Sequence, residues 1–151
     1  MSSLFVFFVL FFNTPHDLHQ LRDLFPLISK NEQSNQSMVK IVNNNTQIAS
    51  EIKKAYMASA LMASAKFKIN PLSKLQAFNE GKKMLEESIQ SNQLNPETRF
   101  IRFTIQSNSP SFLMYKNNLQ EDKTVILSAL PHLKLHDHDL YTRINAYLNS
   151  N

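Results

Sequence analysis

A chain of 151 residues that is 42% hydrophobic can build one core of ordinary size and leaves too little for a second. A single Gly and six Pro disfavour an all-β sandwich, whose tight turns need residues tolerant of positive φ, and rule out a Gly-rich phosphate loop. The absence of Cys excludes disulfides, thiolate metal sites and cysteine nucleophiles, and a modest, scattered net charge of +4 argues against a nucleic-acid binder.

Leu4 to Phe12 reads LFVFFVLFF, nine apolar residues without a charge. That is too short for a spanning helix of roughly 20 residues and fits the apolar stretch of an export signal. No Lys or Arg precedes it and no small-residue cleavage pattern follows, so a buried first element is the competing reading. Residues 1–13 are therefore expected to be an export signal or hydrophobic segment, and residues 14–151 a single α-helical domain. The protein is exported, to a periplasm or the exterior, if that segment is a signal, and cytoplasmic otherwise. Membrane contact is expected only through it.

Thr14, Pro15 and Asp17 supply a cap, a preset φ and a first-turn acid for a helix carrying Leu18, Leu21, Leu24, Phe25 and Ile28, which Pro26 kinks or ends. From Ser29 to Asn45 the chain is polar apart from Met38, Val39, Ile41 and Val42, which predicts a loop holding one short helix. Thr46 can cap the clearest helix, running to about Lys68 with Ile48, Ile52, Ala55, Ser59, Met62 and Ala63 on one face. Asn70 and Pro71 open the next, with Leu75, Phe78, Leu85 and Ile89 as its buried side. The lone Gly81 sits mid-helix, where it costs about 1 kcal/mol relative to Ala, so a neighbouring backbone is expected to pack on it.

Residues 97–108 carry both periods. Ile101, Phe103 and Ile105 alternate like a strand, but the Asn95–Pro96 start and the spacing of Phe100, Phe103 and Ser107 decide for a helix. Phe112, Leu113 and Tyr115 begin a short amphipathic piece. Leu119 to Leu130 forms a helix closed by Pro131, and Asp137 caps a last helix bearing Leu140, Ile144, Tyr147 and Leu148. These elements add up to an all-α fold, an irregular antiparallel array of about six or seven helices in hairpins.

Gly81, Leu85 and Ser88, followed by the turn Asn92 to Pro96 and a new helix, resemble the second helix of a tetratricopeptide repeat, which implies similar packing. The strings KAYMASALMASAKFKINPLSKLQAFNEGKKMLE and NPETRFIRFTIQSNSPSFLMYKNNLQEDK resemble a family of small, uncharacterised bacterial proteins, commonly exported. That resemblance implies an all-α fold and export and carries no activity.

Candidate chemistry is sparse. In a helix Arg99, Arg102 and Gln106 share one side, where two guanidinium groups with Tyr115 nearby make an anion or partner contact; the commoner use of such arginines is pairing with a carboxylate such as Glu97 or Asp122. Glu86 and Glu87 are adjacent and point apart, which makes a poor acid/base pair. His132, His136, Asp137, His138 and Asp139 span a loop and a helix start, so they read as a solvated capping segment rather than a metal site, and no cofactor is expected. Lys66, Lys68, Lys74, Lys82 and Lys83 would serve nucleic acid only as one continuous basic face. The leading expectation is a non-enzymatic exported helical protein that binds a protein or peptide partner. The alternative is a small-ligand binder or enzyme with a polar pocket around Arg99 and Arg102.

Overall fold

The structure, a computed structural model, describes residues 15–150. Among the described residues there are seven α-helices, two short 3-10 turns and no strand. The helices are α1 (His16–Leu24), α2 (Glu32–Asn44), α3 (Ser50–Ser64), α4 (Pro71–Ser91), α5 (Pro96–Asn108), α6 (Leu119–His136) and α7 (His138–Ser150). The apolar run 4–12 and Thr14 lie outside the described residues. No helix of the described residues is long and apolar enough to cross a membrane.

Asparagine does much of the capping. The Asn31 side chain accepts from the Ser34 N–H, Asn70 from Leu72 and Ser73, and Asn95 from Glu97 and Thr98, each satisfying donors that a helix start leaves open. Asp137 caps α7 by accepting from the Leu140 N–H. Pro71 and Pro96 follow two of these caps, where a missing N–H costs nothing.

Three local expectations are corrected. The polar stretch 29–45 is mostly helix: α2 has 13 residues, and Asn35 supplies the buried position that the apolar count lacks by donating to the carbonyls of Ala60 and Ile28 beside Met38 and Val42. Thr46 caps nothing, because Asn45 takes the turn first, its carboxamide oxygen accepting from the Gln47 and Ile48 N–H groups before α3 starts at Ser50. Pro131 does not close α6, which runs on to His136. Pro131 and Leu127 stand on the exposed side, so the carbonyl that loses its donor is on the side open to solvent, while Leu133, two residues on and on the opposite face, is buried and holds the helix down.

Packing is antiparallel. Ser88 donates to the Glu51 carbonyl and Lys54 pairs with Glu87, while Gly81 lies against Ala58 and Met62 at the other end of the α3/α4 contact. A Cβ on Gly81 would stand 2.8 Å from the Ala58 carbonyl oxygen and closer still to Met62 Cγ, so the lone glycine sets how near α3 and α4 approach. The larger core gathers Leu21, Met38, Ala55, Tyr56, Leu85 and Ile101 from α1 to α5. A smaller one, with Phe100, Ile126, Leu133, Leu140 and Ile144, joins α5 to the last two helices. Helix α5 belongs to both.

Candidate functional site

The buried charge of this protein is concentrated on either side of α5. On one side stands Arg22, on the stripe of α1 that also carries Leu18, Leu21 and Phe25. Its guanidinium is bidentate to Glu97 at 2.8 Å for both contacts, bidentate to Asp137 at 2.9 and 2.6 Å, and also donates to Asp139 at 2.9 Å. The Tyr56 hydroxyl donates to the same Glu97 oxygen at 2.7 Å. Arg22 and Glu97 are almost wholly buried, whereas Asp137 and Asp139 keep some exposure. Burial works against the Arg22 charge, but Glu97 and Asp137 outweigh it and hold the group cationic. Burial, then Glu97, pushes the Tyr56 phenol well above its ordinary range, so it stays a donor.

On the other side, Arg99 and Arg102 share one carboxylate. Asp122 is fully buried on the apolar face of α6, between Leu119 and Ile126. It receives Arg99 at 2.9 Å and a bidentate pair from Arg102 at 2.8 and 2.7 Å. Arg99 also donates to Glu121 and to the Gln93 carbonyl, and Arg102 to Glu86. Tyr115 completes the group by donating to the other Glu86 oxygen at 2.6 Å. Burial first and Glu86 second push the Tyr115 phenol far upward. Gln106 exchanges bonds with Asn118, whose side-chain oxygen it reaches and whose N–H it accepts.

The structure thus brings Arg99, Arg102, Tyr115 and Gln106 together, and each is buried and hydrogen-bonded inside the protein. Asp122, expected as a pairing partner, takes both arginines, while Glu97 serves Arg22 instead. A cleft of about 240 Å³ opens beside this network, lined among others by Glu86, Ile89, Gln93, Arg99, Arg102 and Glu121. An anion entering it would meet guanidinium groups whose charge Asp122, Glu86 and Glu121 already balance. Chemically the two networks lock helices to one another: both phenols are kept protonated, and the carboxylates they donate to, Glu97 and Glu86, are themselves held by Arg22 and Arg102.

The histidine-rich junction has the same fate. Asp137 and Asp139 are committed to Arg22, the His132 and His136 rings lie 4.3 Å apart on α6, and among the described residues no group of three or more His, Asp or Glu converges as metal ligands would. Sequence reasoning missed Arg22 and Tyr56. The available signal was a cation inside the apolar stripe of an amphipathic helix, a position where charge is kept only when paired.

A different kind of feature lies in the segment joining α5 to α6. Ser111–Leu113 form a 3-10 turn, and Met114 follows with φ 48° and ψ 40°, the one non-glycine residue with positive φ among the described residues. Side chains alternate here: Leu113 packs on the core and Tyr115 is buried, while Phe112 is 80% and Met114 81% exposed. Tyr115 pins the segment through Glu86, an edge-to-face contact with Phe78 at 6.0 Å and the Lys82 ammonium 4.9 Å above its ring. Two large apolar side chains are thereby held out in water by a firmly anchored loop.

No protein family, curated protein or solved structure is found to match the chain.

Proposed function

We propose that this protein is a non-enzymatic binding protein that holds a protein or peptide partner against the loop of residues 110–115. One observation carries the reading: Phe112 and Met114 face solvent on a backbone whose left-handed turn at Met114 costs of order 1 kcal/mol or more. Exposed apolar side chains on a pinned, strained loop lose little further freedom when a partner covers them. Gly81, Leu85 and Ser88 are all buried in α4, in keeping with tetratricopeptide-like packing of the hairpins. Export is the companion proposal, resting on the apolar run 4–12. The small-ligand alternative at the Arg99/Arg102 cleft is weaker because its cations are already neutralised.

The test is a photo-crosslinking amino acid placed at 112, at 114 and, as control, at the exposed position 43 on α2, in cells that make the full chain. The proposal expects one protein, identified by mass spectrometry, to be captured from 112 and 114 and not from 43. Equal capture from all three positions, or no adduct from 112 and 114, overturns it.

A further inference from the structure

We propose that the tip of the α3/α4 hairpin docks the protein on an anionic phospholipid surface, through Lys66, Lys68 and Lys74 set around Ile69 and Leu72. The inference concerns a different surface from the 110–115 loop and stands independently of it.

The argument begins with charge. From Ile52 to Asn79 the chain contains no Asp or Glu, while Lys53, Lys54, Lys66, Lys68 and Lys74 fall inside that span. The first two have partners in the fold, the Asn45 carbonyl and Glu87. The other three are exposed at the tip and join none of the ion pairs formed among the described residues. At 1.5 Å per residue, Glu80 lies roughly 13 Å along α4 from Pro71, beyond a Debye length of about 8 Å at physiological salt. The start of α2 reaches the same end of the molecule through Asn35 and Ala60, and there Lys30 and Glu32 offset each other. The tip therefore keeps its positive potential.

The second observation is apolar. Ile69 is 96% and Leu72 72% exposed, and Leu75 one turn on is 48% exposed. Aliphatic side chains at a projecting turn, ringed by ammonium groups on long stems, match a lipid interface: the apolar groups enter the acyl boundary while the lysines remain at the level of anionic headgroups. Nucleic acid fits less well. The most exposed apolar side chains, Ile69 and Leu72, are aliphatic, and the one ring at the tip, Phe67, is partly buried rather than set out for bases to stack on. Lys82, which a continuous basic face would require, is folded over the Tyr115 ring.

The absence of Cys makes the test direct. In the full-length protein, Ile69→Cys labelled with an environment-sensitive dye reports on the tip alone, whatever residues 4–12 do, and Asn43→Cys serves as a control on α2. With vesicles of phosphatidylcholine and phosphatidylserine, the dye at 69 is expected to shift to the blue and brighten, with no change at 43 and none with phosphatidylcholine alone. Replacing Lys66, Lys68 and Lys74 with Gln in the labelled chain should weaken that response roughly a hundredfold, since about 1 kcal/mol per lysine near such a surface is about fivefold each. Because all three are exposed, the circular dichroism of this variant should match the parent. No response at 69, an equal response with neutral vesicles, an unchanged response after the Gln replacements, or preferential quenching by an oligonucleotide overturns the proposal.

Discussion

Two arginine networks flank α5, and they are built in opposite ways. At Arg22 one cation gathers three carboxylates, Glu97, Asp137 and Asp139, from positions 75, 115 and 117 residues away. At Asp122 one carboxylate gathers two cations, Arg99 and Arg102, from 23 and 20 residues away. The first ties the start of the described chain to its end, and the second closes a single helical hairpin. A buried charge is costly unless matched, so each network specifies an arrangement more than it adds stability, and the two specify at different ranges.

Removing the centre of each network separates these roles. Arg22→Met keeps most of the volume but leaves Glu97 buried with only the Tyr56 hydroxyl, and is expected to cost about 3–5 kcal/mol in denaturant unfolding. Hydrogen exchange should then rise across α7 and the start of α5 while α3 and α4 stay protected. Asp122→Asn leaves each arginine a second carboxylate, Glu121 or Glu86, and should cost less, about 2–3 kcal/mol, with exchange rising in α5 and α6. Equal costs, or a uniform rise in exchange for both variants, would remove the distinction between a long-range and a local lock.

Much of this was readable in advance where the signal is local. The caps at Asn70, Asn95 and Asp137, the helix over 97–108 and the close approach at Gly81 follow from rules acting within a few residues. That Arg99 and Arg102 pair with a nearby carboxylate was also the commoner expectation, but the choice between Glu97 and Asp122 was open: Asp122 takes both, and Glu97 goes to the distant Arg22. The place of Arg22 in an apolar stripe was a signal that it is paired, but its partners were not legible, because they lie more than 70 residues away and nothing in α1 names them. Helix α2 was underestimated because its buried face is completed by a side-chain amide, Asn35, which an apolar count scores as polar. Pro131 shows the complement: a breaker rule gives way where the exposed side of a helix meets solvent and a buried Leu133 secures the next turn.

A smaller change probes the edge of the local network. Tyr115→Phe removes the bond to Glu86 and keeps the packing on Phe78, so about 1 kcal/mol should be lost in thermal or denaturant unfolding. Because Tyr115 also pins the loop that carries Phe112 and Met114, the same variant should raise exchange at 112–116 more than anywhere else. Exchange unchanged in that segment would mean that Phe78 and Leu113 suffice to hold it.

The smallest effect separates the networks by pH. Each has one carboxylate held below its ordinary range. Burial alone would raise Asp139, but Arg22 and Arg143 outweigh it; for Glu121, Arg99 is the main cause and Asn118 adds to it. A depressed acid contributes stability that is fully present above its unfolded value and is lost as pH falls through its lower folded value. Asp139→Asn should therefore be less stable than the parent at pH 7, and the gap should close as pH falls below the ordinary Asp value of 3.8. Glu121→Gln should show a narrower gap, closing below the ordinary Glu value of 4.5, because the side chain is 55% exposed and its pairing is screened by water. In an Arg22→Met background the Asp139 gap should shrink, since Arg22 no longer joins Arg143 and His19 beside that carboxylate, while the Glu121 gap should persist. If both gaps respond alike to the loss of Arg22, the networks are coupled through α5 rather than independent.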